Sequence, residues 1–217
     1  MLKTTYLRIA PKIFLFCFLI PSFAWARTSP GCYSLREGTY PINIRYQSAK
    51  RFPSLQQKVG LTVGVAHFKD TRHGRLHVGH YVYQRVSNYL KSEPLPLEKA
   101  IRDSLLQFFS LHGIRTVPIS NWGGKEESLK NIEADSILMI EGMRFWSEGT
   151  VRGQETNVNT SIYLMIRLGV KKEGKVFKRG VYTIKENSMV ELTPAGMGRV
   201  INQTLTEILD GFFSNPY

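Results

Sequence analysis

Residues 136–146 read Ser136-Ile-Leu-Met-Ile-Glu-Gly-Met-Arg-Phe-Trp146, a long apolar run rich in strand-favouring residues. Two further strands follow it, at about residues 157–170 and 175–185. In the first, Ile162, Leu164, Ile166 and Leu168 alternate with Tyr163, Met165 and Arg167, and Gly174 marks the turn between the two. The three read as an antiparallel meander with one wet face. Upstream, Leu-Thr-Val-Gly-Val-Ala-His-Phe at 61–68 alternates as a first core strand, with Val63, Val65 and a partly buried His67 on one face. A polar turn at 70–74 leads to a strand or hairpin arm over 76–86.

Helical spacing appears twice. Leu97, Ile101, Leu105, Phe108 and Phe109 form one apolar stripe, with Ser92 offered as N-cap, Pro94 and Pro96 ahead of it and Gly113 as its stop. Val200, Ile201, Leu205, Ile208, Leu209 and Phe212 form the second, behind Thr193 as N-cap and Pro194 at the first helical position. Between them, residues 114–119 read as a strand and 126–133 as a short helix with Leu129 and Ile132 inward. The expected fold is α+β, a mostly antiparallel sheet of about five strands with two long helices packed on one face.

The N-terminus carries a different message. Lys3, Arg8 and Lys12 precede the apolar block Ile13–Ile20, Pro21 interrupts it, and Ala24 and Ala26 stand at the spacing of an A-x-A cleavage site. Residues 1–26 therefore read as a secretory signal peptide, 27–58 as an extended basic leader, and 59–217 as a single domain. Cleavage would take three basic residues from the 29 in the chain and none of the 17 acidic ones, leaving net +9. An exported basic chain is expected to meet an envelope protein partner, an anionic lipid or a lipopolysaccharide surface, and no nucleic acid. The expected location is the periplasm, with possible association to the outer membrane. Cys17 leaves with the signal peptide, so Cys32 is the one remaining thiol and no internal disulfide forms. Ser29-Pro30-Gly31-Cys32 places a small residue ahead of that thiol, as a lipidation site requires. A lipidated Cys32 and a soluble product cut after Ala26 both stand open at this point.

Candidate chemistry is sparse. His67, His73, His77 and His80 lie within fourteen residues, but spacings of four and three do not bring them to one face of a strand, and Gly74 and Gly79 oppose a helix there. No metal and no other cofactor is expected. Asp70 and Arg72 read as a pair fixing a strand-end turn, with a catalytic acid and its partner as the alternative. A nucleophile motif, a phosphate loop and a paired carboxylate are all absent from the sequence, so no catalytic residue is assigned. Phe145 and Trp146 are candidates for an aromatic contact surface or for core packing. Lys171, Lys172, Lys175, Lys178 and Arg179 fall within nine residues at the second meander turn, with Arg144, Arg152 and Arg167 on the same meander, and offer a contact for an anionic surface.

The order Phe68-x-Asp70-x-Arg72, then Val78-Gly79, a helix ending in Leu111-His-Gly113, then Ala134-Asp135, Ile140-Glu-Gly142 and Phe145-Trp146 resembles the YajG-type lipoproteins. That resemblance spans roughly residues 60–213 and implies an envelope location and a fold more than an activity. The segment Gly31-Cys32-Tyr-Ser-Leu35 is also similar to the start of mature lipoproteins, including the LptE-like component of lipopolysaccharide assembly. The expected function is a non-catalytic envelope protein that binds or assembles, with an LptE-like role as the alternative.

Overall fold

The computed structural model describes residues 38–119, 122–152, 155–189 and 192–217. The signal peptide, the start of the leader and Cys32 lie outside them. Elements run β1 (Gly38–Ile42), α1 (Leu55–Val59), β2 (Thr62–Val65), β3 (Lys69–Asp70), β4 (Gly79–Tyr83), β5 (Val86–Ser92), α2 (Leu97–Leu111), β6 (Arg115–Pro118), β7 (Ser136–Arg152), β8 (Glu155–Val170), β9 (Lys175–Met189) and α3 (Pro194–Ser214). Short 3-10 helices occupy Glu126–Asn131 and Lys171–Glu173.

The sheet is built on β7. Along one edge this strand pairs antiparallel with β8 through its whole length, and β8 pairs antiparallel with β9. Its other edge takes three separate strands in succession, all parallel: β2 at 136–138, β3 at 141–142 and β4 at 147–149. Beyond these, β6 pairs parallel with β2, and β5 and β1 continue outward from β4. A bulge between Gly142 and Arg144 leaves Met143 without a partner on β8 and shifts the β7–β8 register by one residue.

This corrects the expected fold class. The sheet has nine strands and mixed pairing, parallel as well as antiparallel, and one long helix, α3, at 21 residues; α2 has 15. The reason is physical. The strands expected at 61–68 and 114–119 are present in shorter form as β2 and β6, but β3 is two residues long, and the parallel partners of all three are remote in sequence, so no local pattern shows the pairing. The meander, whose partners are local, has the expected order.

Residues 38–58, read as a leader, contribute β1, α1 and buried Ile42, Ile44, Tyr46, Phe52 and Leu55 to the main core. The segment after β1 runs along α3, where the Arg45 N–H donates to Asn202 (3.0 Å) and the Asn202 amide donates to the Asn43 carbonyl (2.9 Å).

On β8, Val158, Thr160, Ile162, Leu164, Ile166, Leu168 and Val170 all point to the face that α2 and α3 cover. Helix α3 starts as its sequence dictates, with the Thr193 side chain accepting from the Gly196 N–H (3.2 Å) and Pro194 in the first turn. Helix α2 starts later than the serine cap implied. Ser92 belongs to β5, its hydroxyl donating to the Leu95 carbonyl (2.7 Å), and the helix begins after Pro96. It ends at Gly113, whose φ of +67° only glycine adopts cheaply. On the opposite sheet face, Trp122 and Leu129 pack on Ala66, Ile137 and Met139 in a second, smaller core.

Candidate binding surface

Asp70, Arg72, Gly79, Asp135 and Gly142, among the residues that carry the YajG-type resemblance, are joints of the sheet. Asp70 and Arg72 are both buried, with the guanidinium gripping the carboxylate at 2.9 and 2.7 Å. The remaining N–H groups of Arg72 donate to the carbonyls of Phe145 (2.9 Å), His77 (3.1 Å) and Arg75 (3.2 Å). All five donors are thereby used, and the 70–78 loop is clamped onto β7 just past its bulge. Burial alone would push the Asp70 carboxyl up; the hydrogen bonds and charge of Arg72 outweigh it and hold the carboxyl below its ordinary range. A catalytic acid needs a carboxyl free to exchange protons with a substrate, and this one is committed to its clamp.

Gly79 and Gly142 are close approaches. A Cβ at Gly79 would overlap the Ser147 carbonyl oxygen where β4 meets β7, and one at Gly142 would stand 2.7 Å from the Phe68 ring. Asp135 binds the start of β2, accepting from the Thr62 hydroxyl (2.8 Å) and from the N–H groups of Thr62 (2.8 Å) and Leu61 (2.9 Å). Those bonds, Thr62 first, keep its carboxyl below the usual range.

Phe145 and Trp146 point to opposite faces because successive strand side chains alternate. Phe145 is core; Trp146 is half-buried on the face away from the helices. Beyond the small core under Trp122, the described elements leave this face open. Two rows of side chains cross it: Trp146 beside Ser161 beside Ile184, and Arg144 beside Tyr163 beside Tyr182. Tyr182 and Ile184 are 55% and 54% exposed, and Tyr163 meets Tyr182 edge-on with ring centres 6.1 Å apart. The aromatic band continues onto β4 and β5, where His80 lies 5.6 Å from Trp146 and 6.0 Å from Tyr89, and His77 lies 4.9 Å from Tyr89. Tyr89 is 41% exposed. No motif marks Tyr89, Tyr163, Tyr182 or Ile184 in the sequence. Tyr89 and Tyr163 alternate with buried neighbours, and Tyr182 and Ile184 with half-buried ones, which is the sign the sequence holds.

Two of the four clustered histidines thus sit in an aromatic band, while His67 and His73 lie exposed outside it. The basic meander turn divides as well. Lys171 donates to the Ile132 carbonyl (2.7 Å), Lys172 to the Gln57 carbonyl in α1 (2.6 Å) and Arg179 to the Asn215 carbonyl that closes α3 (2.7 Å). Helix α3 has no basic residue in its own last turn, so Arg179, with Lys58 on the Ser214 carbonyl at 3.4 Å, supplies the cations its C-terminus attracts. Among the described residues, no hydrogen bond or ion pair engages the exposed side chains of Lys175 and Lys178. Beside the Asp70 loop, a groove of about 530 Å³ is lined by Arg75, Lys91, Glu93 and Glu98 among others.

No helix of the described residues is long and apolar enough to cross a membrane. No protein-family model and no curated protein matches the sequence. Among solved structures, the chain is similar to an uncharacterised protein at 14% identity, with 84% of this chain and 99% of the other covered and a TM-score of 0.47. It is similar to a lipoprotein of Neisseria meningitidis at 11% identity, with 69% and 98% covered and a TM-score of 0.37. A putative neuraminyllactose-binding hemagglutinin homologue of Helicobacter pylori is similar at 14% identity, with 80% and 90% covered and a TM-score of 0.39.

Proposed function

We propose that this chain is a non-catalytic protein of the bacterial cell envelope, a binding or assembly component of the periplasm or of the outer membrane's periplasmic side. The observation that carries the reading is the open sheet face, where Trp146, Tyr163, Tyr182, Ile184 and Tyr89 stand on one surface that no described element covers. Aromatic side chains bring large contact area at low cost in conformational freedom, and a set of them that is exposed at Tyr89 and Tyr182 and half-buried at Trp146 and Tyr163 suits a protein partner. Export is supported by the charged, apolar and small-residue order of residues 3–26. A YajG-type identity is supported by the Phe68-x-Asp70-x-Arg72, Gly79 and Gly142 pattern, and a non-catalytic role by the commitment of Asp70 to Arg72. Contact with an anionic lipid surface falls to Lys175 and Lys178, the two lysines of the meander turn that the fold does not use.

The test is a photo-crosslinking amino acid placed at Tyr89 or Trp146 in cells, with exposed Gln107 on α2 as control. Discrete adducts with one envelope protein are expected from the two face positions and none from Gln107. Adducts equal at all three positions, or none at either face position, would overturn the reading.

A further inference from the structure

Three leucines are the most exposed large apolar side chains among the described residues: Leu111 at 76%, Leu76 at 73% and Leu61 at 64%. Leu76 stands on the 70–78 loop, halfway along β7. Leu61 and Leu111 belong instead to one end of the sheet, where β2, β6 and β7 begin. The Leu61 carbonyl accepts from the Arg115 N–H (2.9 Å) at the start of β6. Gly60 and His112, the chain neighbours of the two leucines, are joined through Gln56, whose carbonyl accepts from the Gly60 N–H (2.8 Å) and whose side-chain amide donates to the His112 carbonyl (2.8 Å).

The surroundings of this pair are basic. Leu111 shares a groove of about 510 Å³ with Lys50, Arg51 and Gln56 among others, and Arg115 lies against Leu61. Among the described residues, the exposed side chains of Arg51 and Arg115 make no hydrogen bond or ion pair, and Lys50 stays exposed although 4.0 Å from the Asp210 carboxylate. The acidic groups of this end have other company. Asp135 is committed to the start of β2, and Glu133 and Glu173 sit in the loop and turn that also carry Lys130, Lys171 and Lys172. Lys172 ties that turn to α1 through the Gln57 carbonyl, so Lys175, which follows it, belongs to the same end.

We infer that this end of the sheet docks on an anionic phospholipid bilayer, Leu61 and Leu111 entering the boundary between headgroups and acyl chains while Lys50, Arg51 and Arg115 meet the phosphates. An exposed leucine gains from an apolar medium and an unpaired arginine from an anion, and the bilayer boundary offers the two side by side. Charge complementarity selects an anionic surface over a neutral one. Single leucines at a loop and a helix end, set among cations, suit insertion between headgroups, whereas a protein contact is better served by the neighbouring rings of the aromatic face. The inference rests on the anionic-lipid contact of the proposed function and adds to its lysines the apolar groups that hold the protein at the surface.

Co-sedimentation of the exported chain with vesicles of phosphatidylcholine and phosphatidylglycerol in equal parts, against phosphatidylcholine alone, tests it, with folding checked by circular dichroism. Wild type is expected to bind the anionic vesicles. Leu61→Ser combined with Leu111→Ser is expected to weaken that binding by about tenfold or more at every salt concentration where wild type binds, because apolar insertion is not screened. Arg51→Gln combined with Arg115→Gln is expected to weaken it by roughly tenfold at low salt, with the difference shrinking as salt rises. Leu76→Ser removes an equally exposed leucine from mid-sheet and is expected to bind as wild type does. A wild type indifferent to anionic vesicles would overturn the inference together with the lipid contact it rests on. Wild-type binding by the leucine pair, or an equal loss from Leu76→Ser, would overturn the inference alone.

Discussion

The Tyr46 hydroxyl donates a 3.0 Å hydrogen bond to the Asp210 carboxylate, 164 residues further along the chain, inside the main core. It joins the segment after β1 to the last turns of α3. Burial, then the charge and the bond of Asp210, push the phenol far above its ordinary range, so it remains a donor at any pH the folded protein meets. Tyr46→Phe keeps the ring contacts with Phe108 and Phe213 but leaves a carboxylate that is 4% exposed short of its donor. A loss of about 1–3 kcal/mol is expected in urea unfolding. A change within a few tenths would show that Lys50, 4.0 Å from the other oxygen, carries the carboxylate instead.

Asp70 sets an acid dependence whose sign follows from its lowered pKa. A carboxyl depressed in the folded state adds stability above its unfolded value of 3.8, and that stability is lost as pH falls through the lower folded value. Wild type should therefore lose stability more steeply than Asp70→Asn below pH 3.8, while the variant is the weaker of the two at neutral pH. Parallel curves of unfolding free energy against pH would contradict this.

Gly79→Ala places a methyl group on the Ser147 carbonyl at the first of the three paired positions where β4 meets β7. A cost of about 1–3 kcal/mol is expected, with hydrogen-exchange protection lost first in β4 and β5. Gly211→Ala on α3, where nothing lies within 4 Å of the added carbon, should be neutral or stabilising.

The basic turn predicts a split outcome. Replacing Lys171 and Lys172 together with Gln removes donors from the Ile132 and Gln57 carbonyls and should lower stability by about 1 kcal/mol. Replacing Lys175 and Lys178 with Gln should leave the Tm unchanged while reducing co-sedimentation with anionic vesicles, most clearly at low salt. Equal vesicle binding by wild type and the second variant would remove the lipid contact.

What the sequence revealed follows the length of each signal. β7, β8 and β9 are long and locally paired, so Ile162, Leu164, Ile166 and Leu168 announced both strand and inward face. Thr193 and Pro194 announced the start of α3 because capping is local chemistry. β2, β3 and β6 depend on partners more than forty residues away, and no window of sequence holds that information. Pro41 and Arg45 disguised residues 38–46 as a leader, since an edge strand tolerates proline and an exposed arginine between two buried residues breaks the apolar run. On the open face, Trp146 was visible by its type. Tyr89 was not, because its neighbours on that surface come from β4 and β7 rather than from its own segment.

Gly38 opens β1, which stands five strand spacings from β9 in the order β1-β5-β4-β7-β8-β9. At about 4.8 Å per spacing, the two edges are roughly 24 Å apart. A pull applied at Gly38 therefore acts on the side of the sheet far from β9. Because β1 runs parallel to β5, a force along the β1 axis loads their five paired positions together in shear instead of peeling them one at a time.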